Sequence, residues 1–260
     1  MRAPPHPIRR LGEGGMGEVW LAEDPDRGLV ALKCLRPELT QNDHIGRFRA
    51  EFAALARLRH PNLVKAWDYH VDPDSGRHSY TMEIVQGLDF TAATGGLPAD
   101  QVCVLAEQVC DALEHVHAHD LVHGDVKAAN IIVTGDHVRL MDFGLVNHPG
   151  QGPRRGSLDT LAPEVIQGRP HDRRADLYAL GAVLFEALTR HPPFTGPSRF
   201  ALLRAHLRSR PVFPSRLAGS VPESIQAVVL RLLNKNPSSR FFTAAETAEA
   251  LRAARGASGR

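Results

Sequence analysis

The stretch from His123 to Asp142 leaves the chain little conformational freedom. Ile131-Ile132-Val133 and Val138-Arg139-Leu140-Met141 are short apolar runs separated only by Thr134-Gly135-Asp136-His137. A polar, glycine-containing spacer between two such runs is a turn, so the pair is expected to form an antiparallel hairpin. A hairpin brings its open ends together, which sets Asn130 and Asp142 side by side across the ladder. Just upstream, Asp125 and Lys127 lie in the turn-like segment His123-Gly124-Asp125-Val126-Lys127-Ala128-Ala129-Asn130. Two hard oxygen ligands beside a further carboxylate, Asp125, suit a magnesium-bound phosphate. A pair of polar strand caps is the plainer alternative.

Around this hairpin the hydrophobic period changes along the chain. Ile8 to Leu11, Glu18 to Glu23 and Leu29 to Leu35 read as strands, with Pro25-Asp26-Arg27-Gly28 turning the second into the third. Over residues 44–59 the apolar positions Ile45, Phe48, Phe52, Leu55 and Leu58 recur at helical spacing. Leu63 to Tyr69 and His78 to Ile84 return to strand. Pro98 is placed to open a helix running to about His119, with Val102, Leu105, Val109, Ala112, Leu113 and Val116 on one face. Ala175 to Leu188 is apolar nearly all round, which marks a helix buried inside the domain. Helical regions at Ile225 to Leu233 and Ala244 to Ala254 follow, and residues 255–260 read as a disordered tail.

The expected fold is therefore α+β and bilobal. A small antiparallel β-sheet lobe with one helix spans residues 1–85, and a larger, mainly helical lobe spans residues 86–254. Together they make a single domain.

Composition narrows the function by exclusion. A net charge of +2 gives no electrostatic footprint for nucleic acid or an anionic membrane. No apolar run reaches transmembrane length; the longest, Ala179 to Phe185, stops at Glu186. The amino terminus lacks the apolar core of a signal peptide. Cys34, Cys103 and Cys110 have no metal-ligand spacing and read as buried thiols of a reducing compartment, so a cytoplasmic location is expected. His115, His117 and His119 occur within a helix end, where alternate positions point to different faces, and no cysteine or carboxylate cluster lies nearby, so a metal site is not expected.

Leu11-Gly12-Glu13-Gly14-Gly15-Met16-Gly17-Glu18-Val19 carries a glycine-rich turn that would let backbone N–H groups approach phosphates. The same spacing occurs in dinucleotide-binding folds, but those need a helix directly after the glycines. Here Glu18-Val19-Trp20-Leu21 continues as strand. Lys33 ends the apolar run Val30-Ala31-Leu32, and it is one of only four lysines among the 31 basic residues. At roughly 100° per residue, Glu51 falls between Leu55 and Leu58 inside the apolar arc of its helix. A carboxylate buried there requires a cation, and Lys33 is the obvious partner; a helix-surface position for Glu51 is the alternative.

These pieces in this order resemble a protein kinase domain of the eukaryotic-like Ser/Thr type found in bacteria, over about Ile8 to Ala254. The glycine turn is followed by Val30-Ala31-Leu32-Lys33, the segment His123 to Asn130, Asp142-Phe143-Gly144 and Ala162-Pro163-Glu164. Each specified residue has a chance frequency of roughly one in twenty, so about a dozen in order exclude coincidence.

The resemblance implies an enzyme that transfers the γ-phosphoryl group of ATP, with Mg²⁺ or Mn²⁺, to Ser or Thr of a protein substrate. Asp125 would orient the hydroxyl and accept its proton, and Lys127 would stabilise the transferring group. Asn130 and Asp142 would hold the metal. Lys33, positioned by Glu51, would meet the nucleotide phosphates. ATP would further contact Leu11, Gly12, Gly14, Gly17, Val19 and Ala31, with Met82 as gatekeeper and Glu83 and Val85 meeting the adenine. Structural support is implied for His123, Phe143, Gly144, Ser157, Glu164, Asp176 and Arg240. Within that set, Asp176 braces the catalytic loop, Arg240 pairs with Glu164, and Ser157 bonds to Asp125 and Lys127.

The pattern also departs from the family. Gly124 stands where an arginine usually grips an activation-loop phosphate, and residues 145–156 contain no Ser, Thr or Tyr. With phosphate and receptor both absent, activity without activation-loop phosphorylation is expected. Leu158 and Thr160 replace a frequent proline and tyrosine, and Arg154 and Arg155 read as a solvated loop. A nucleotide-binding scaffold without turnover and a small-molecule phosphotransferase are the competing readings. The intact set Lys33, Glu51, Asp125, Asn130 and Asp142 weighs against the first. The A-P-E element and Arg240 weigh against the second.

Overall fold

The structure, a computed structural model, describes residues 5–14, 17–39, 42–142, 157–215 and 220–257. The chain divides into two compact units, Met1–Val85 and Gln86–Arg260.

The first unit is an antiparallel sheet with one helix. Along the chain come β1 (His6–Glu13), β2 (Gly17–Asp24), β3 (Gly28–Leu35), α1 (Asn42–Arg57), β4 (Ala66–Val71) and β5 (His78–Met82). The sheet order is β1-β2-β3-β5-β4. β3 is central because Val30 to Leu35 is buried without a break, the pattern of a strand covered on both faces. The β2–β3 turn is closed by Asp24, whose Oδ1 accepts the N–H groups of Asp26 and Arg27, both at 3.0 Å. Gly28 supplies the left-handed residue at φ 71°. α1 docks through aromatic packing, with Phe48 and Phe52 against Tyr69 and Tyr80 at ring separations of 5.0 to 6.0 Å.

β1 extends past the expected Ile8 to Leu11 at both ends and α1 lies two residues earlier than expected, and two other boundaries differ for a visible reason. β4 begins at Ala66 rather than Leu63, because Leu63 closes a turn onto the His60 carbonyl. β5 stops at Met82 rather than Ile84, where the Glu83 N–H turns to the Lys65 carbonyl at 2.9 Å.

The second unit is mainly helical. Its elements are β6 (Leu88–Asp89), α2 (Phe90–Ala93), α3 (Ala99–His117), β7 (Ile131–Thr134), β8 (His137–Leu140), α4 (Pro163–Ile166), α5 (Arg174–Thr189), α6 (Arg199–Arg208), α7 (Glu223–Leu232) and α8 (Ala244–Ala257). β6, β7 and β8 form a small antiparallel sheet in that order. α5 is the core helix: Leu177, Tyr178 and Leu180 are fully buried. α5 packs on α7 closely enough that a Cβ at Gly181 would lie 2.7 Å from that of Leu232. α3 packs against α5 and α8.

α8 continues to Ala257, so Arg255 to Ala257 are helical rather than part of a disordered tail. Arg255 is held there by Glu107 of α3 at 3.3 Å. α6, which no strong hydrophobic period announces, buries only His206 and is capped by Ser198 Oγ, which accepts the Ala201 N–H at 3.2 Å. Among the described residues no helix is long and apolar enough to cross a membrane.

Candidate active site

In the first unit, sheet register gathers the predicted nucleotide-side residues. Val19 pairs with Lys33, Lys33 with Tyr80, and Ala31 with Met82. Gly12 pairs with Val19. Directly paired and alternate residues share a sheet face, so Gly12, Val19, Ala31, Lys33 and Met82 all lie on one side. α1 brings Glu51 to Lys33, with Nζ 2.7 Å from Oε1 and side chains only 8% and 2% exposed. The surface alternative for Glu51 is thereby excluded. Past Met82, which is buried, Glu83 and Val85 lie in irregular chain and are partly exposed, as is Leu11 on β1.

The three described glycines of the turn, Gly12, Gly14 and Gly17, differ in what surrounds them. Among the described residues, a Cβ at Gly12 would meet nothing within 4 Å, and one at Gly14 would meet only the Gly17 carbonyl at 3.8 Å. The space beside these two residues is open to an incoming group. Gly17 is a packing requirement instead: its Cβ would stand 2.6 Å from the Cys34 carbonyl oxygen. Gly15 and Met16 lie outside the described residues.

In the second unit the hairpin forms as its sequence requires. Ile131 pairs with Leu140, and the Met141 N–H bonds the Asn130 carbonyl at 2.9 Å. Asn130 and Asp142 thus flank the same end of the ladder. Asn130 Nδ2 donates to the Asp125 carbonyl at 2.8 Å and to Asp125 Oδ2 at 3.2 Å, so its own Oδ1 is uncommitted in these bonds. Asp142 takes a left-handed backbone at φ 56°, uncommon for a residue with a side chain and best tolerated by Asp and Asn.

Asp125 is tightly held. Its Oδ2 accepts Lys127 Nζ at 2.7 Å, and its Oδ1 accepts both the Ser157 N–H at 3.0 Å and the Ser157 hydroxyl at 2.9 Å. Burial by itself would raise this carboxyl, but the Lys127 bond and charge and the Ser157 hydroxyl hold it below the usual carboxylate range. Ser157 makes half of its implied contacts: it bonds Asp125, while among the described residues no hydrogen bond joins it to Lys127.

Behind the loop stands Asp176, buried near the start of α5. Its carboxylate accepts the His123 N–H at 2.8 Å and the Gly124 N–H at 2.9 Å, and it contacts His117 Nε2 at 2.9 Å. Burial opposes its charge, yet His117, His123 and the Gly124 amide together keep the carboxyl below its ordinary value.

His117 is the residue that sequence reasoning passes over. Its spacing from the other two histidines carries no signal, and the useful clue is the need of a buried Asp176 for donors. Gly124 has φ 78°, so glycine meets at no steric cost a conformation that an arginine would adopt under strain. Glu164 and Arg240 form a buried two-pronged pair, with Nη1–Oε1 at 2.7 Å and Nη2–Oε2 at 2.8 Å. Phe143, Gly144, Arg154, Arg155 and the rest of residues 143–156 lie outside the described residues.

The donor set fits a nucleotide-bound cation. Among the described residues no cluster of three or more His, Cys, Asp or Glu side chains could hold a metal by itself. Asn130 and Asp142 offer two hard oxygens, which suits an ion that draws its remaining ligands from phosphate and water.

The sequence profile of the protein kinase domain family matches residues 6–251. The chain is 36% identical to the serine/threonine-protein kinase PknB of Mycobacterium leprae over 267 aligned residues, covering 95% of this chain and 43% of that protein. It is 38% identical to PknB of Mycolicibacterium smegmatis, covering 91% of this chain and 40% of that one. It is 35% identical to the serine/threonine-protein kinase PrkC of Bacillus subtilis, covering 91% and 38%. The chain thus spans about two fifths of the length of these relatives. The motifs, the two folded units and this similarity lead to one conclusion: the chain belongs to the protein kinase family.

Proposed function

We propose that this chain is an active, ATP-dependent Ser/Thr protein kinase domain. The observation that carries the reading is the constellation around Asp125: Lys127, Asn130 and Ser157 all bond to one partly buried carboxylate. A carboxyl held below its usual range is a weak base. Its contribution is therefore to orient the attacking hydroxyl and take the proton late, when transfer is advanced. Lys127, a fixed cation beside it, stabilises charge on the transferring group.

Asn130 and Asp142 are the residues that would hold Mg²⁺ or Mn²⁺; the ion would neutralise phosphate charge. Lys33 would bind the nucleotide phosphates, held by Glu51. Open space beside Gly12 and Gly14 supports close approach of the backbone to phosphate. Ala31, Val19 and Met82 would receive the adenine with Leu11, Glu83 and Val85. The Ser/Thr preference is drawn from the relatives' names and from Lys127 and Ser157 beside Asp125. A cytoplasmic site of action accords with three buried free cysteines. Gly124, together with the absence of Ser, Thr or Tyr in residues 145–156, supports activity without activation-loop phosphorylation.

The test is magnesium-dependent transfer of the γ-phosphoryl group to a generic protein substrate, with Lys33→Met and Asp142→Asn as controls. Transfer that both substitutions abolish supports the reading. Transfer that survives both marks a contaminant, and no transfer under any condition favours a scaffold. Phosphatase treatment of the purified protein should leave the rate unchanged; a large loss traced to phosphate removed from Ser157 or Thr160, the first hydroxyl residues after Asp142, would refute independence from phosphorylation.

A further inference from the structure

The Lys33–Glu51 pair has a third member. Tyr80 lies directly across from Lys33 in the antiparallel β3–β5 pair, so both side chains leave the same face of the sheet. α1 covers that face at this point. Phe48 and Phe52, which bracket Glu51 on the helix, stand with their rings 5.0 and 5.7 Å from that of Tyr80. The Tyr80 hydroxyl donates to Glu51 Oε1 at 2.9 Å, the same oxygen that accepts Lys33 Nζ at 2.7 Å. Glu51 Oε2 is buried without a hydrogen-bond partner among the described residues. One oxygen of a buried anion therefore carries both of its donors.

The two donors are not equivalent. The lysine ammonium sits on a flexible four-carbon stem with three donors to distribute, and a phosphate can compete with Glu51 for it. The tyrosine hydroxyl sits on a fully buried ring packed against two phenylalanines and has no such freedom. When Lys33 shares its protons with a phosphate, Tyr80 is the group that keeps the carboxylate in place. We propose that Tyr80 is a positioning residue of the phosphotransfer site. It anchors Glu51, and with it α1, in the Lys33-paired arrangement without any signal from the segment after Asp142. This rests on the kinase reading above and extends it to how the pair is maintained.

Tyr80→Phe removes only the hydroxyl and keeps the ring packing. With one hydrogen bond to a charged group lost, kcat/KM for ATP should fall about tenfold, mostly through a higher KM. In a Glu51→Gln background the same substitution should cost less than about twofold, since its effect runs through that carboxylate. Leu251→Ala, a core truncation on α8 that touches none of these three residues, should lower the melting temperature and leave kcat/KM within about twofold.

A readout independent of turnover is acylation of the Lys33 amine by a lysine reagent without nucleotide, followed by peptide mass spectrometry. Tyr80→Phe should raise that rate several-fold as the lysine's partner loosens. A Tyr80→Phe protein equal to the parent in both kcat/KM and acylation rate overturns the proposal. So does a full tenfold loss that persists in the Glu51→Gln background. If the parent transfers no phosphate, the kinase reading falls, and the acylation comparison still decides the role of Tyr80.

Discussion

Replacing Asp176 by Asn tests whether one buried carboxylate sets the geometry of the catalytic loop. Asp176 receives three contacts on two oxygens: Gly124 N–H on Oδ1, and His123 N–H with His117 Nε2 on Oδ2. An amide keeps one acceptor oxygen and puts an NH₂ group in place of the other. If the oxygen stays with Gly124, the His123 N–H faces a donor; if the amide flips, the Gly124 N–H does. His117 can change tautomer to accept from the new NH₂, but a backbone N–H cannot. At least one buried amide is therefore orphaned, at about 1–3 kcal/mol, and the remaining bonds lose their charge assistance. We expect a loss of about 2–4 kcal/mol in urea unfolding of the Asp176→Asn protein.

The orphaned groups directly precede Asp125, so activity should fall as well. A misplacement of about 1 Å costs about a hundredfold in rate, and the loss should appear in kcat with KM for ATP little changed. The pH dependence has a definite sign. The folded carboxyl lies below its ordinary value, so its stabilising contribution is complete above the unfolded pKa of about 3.9 and is lost as pH falls through the lower folded value. The Asp176→Asn protein should lack that acid-side component. An unchanged urea midpoint with unchanged kcat would refute the bracing role.

Four further outcomes are expected. Gly12→Ala and Gly14→Ala should leave the melting temperature unchanged and weaken ATP binding in calorimetry, whereas Gly17→Ala, with its Cβ 2.6 Å from the Cys34 carbonyl oxygen, should lower the melting temperature. Arg240→Met should cost about 3–5 kcal/mol in chemical denaturation, because it strands Glu164 as an unpaired buried anion. Burial pushes the Cys34 thiol up to about 11 and that of Cys103 up to about 12, and raises Cys110 as well. At pH 8 all three should resist iodoacetamide in the native protein and react once it is unfolded in urea. Gly124→Ala should destabilise by about 1 kcal/mol in urea unfolding, since φ 78° strains any residue with a Cβ.

The order of residues was enough for the features that rest on a strong local period or on a glycine-bearing turn. The β7–β8 hairpin, and with it the juxtaposition of Asn130 and Asp142, follows from two apolar runs and a four-residue spacer. The buried face of α1 could be read from its wheel, including Glu51 among its leucines. Lys33 as its partner followed from the cost of an unpaired buried charge. What resisted reading were contacts between residues far apart in sequence whose local patterns say nothing. His117 looks like one of three alternating histidines until α3 meets α5 and Asp176 is buried beside it. Tyr80 looks like an ordinary strand aromatic until the β3–β5 register sets it opposite Lys33 and beneath Glu51. α6 and the last turn of α8 were hidden for a related reason: a helix with few buried residues leaves little apolar period to detect, and what holds it is a cap or an ion pair from elsewhere in the fold. Periodicity reports which face of an element is apolar. Only packing decides which polar groups are trapped on that face, and therefore which must be satisfied by one another.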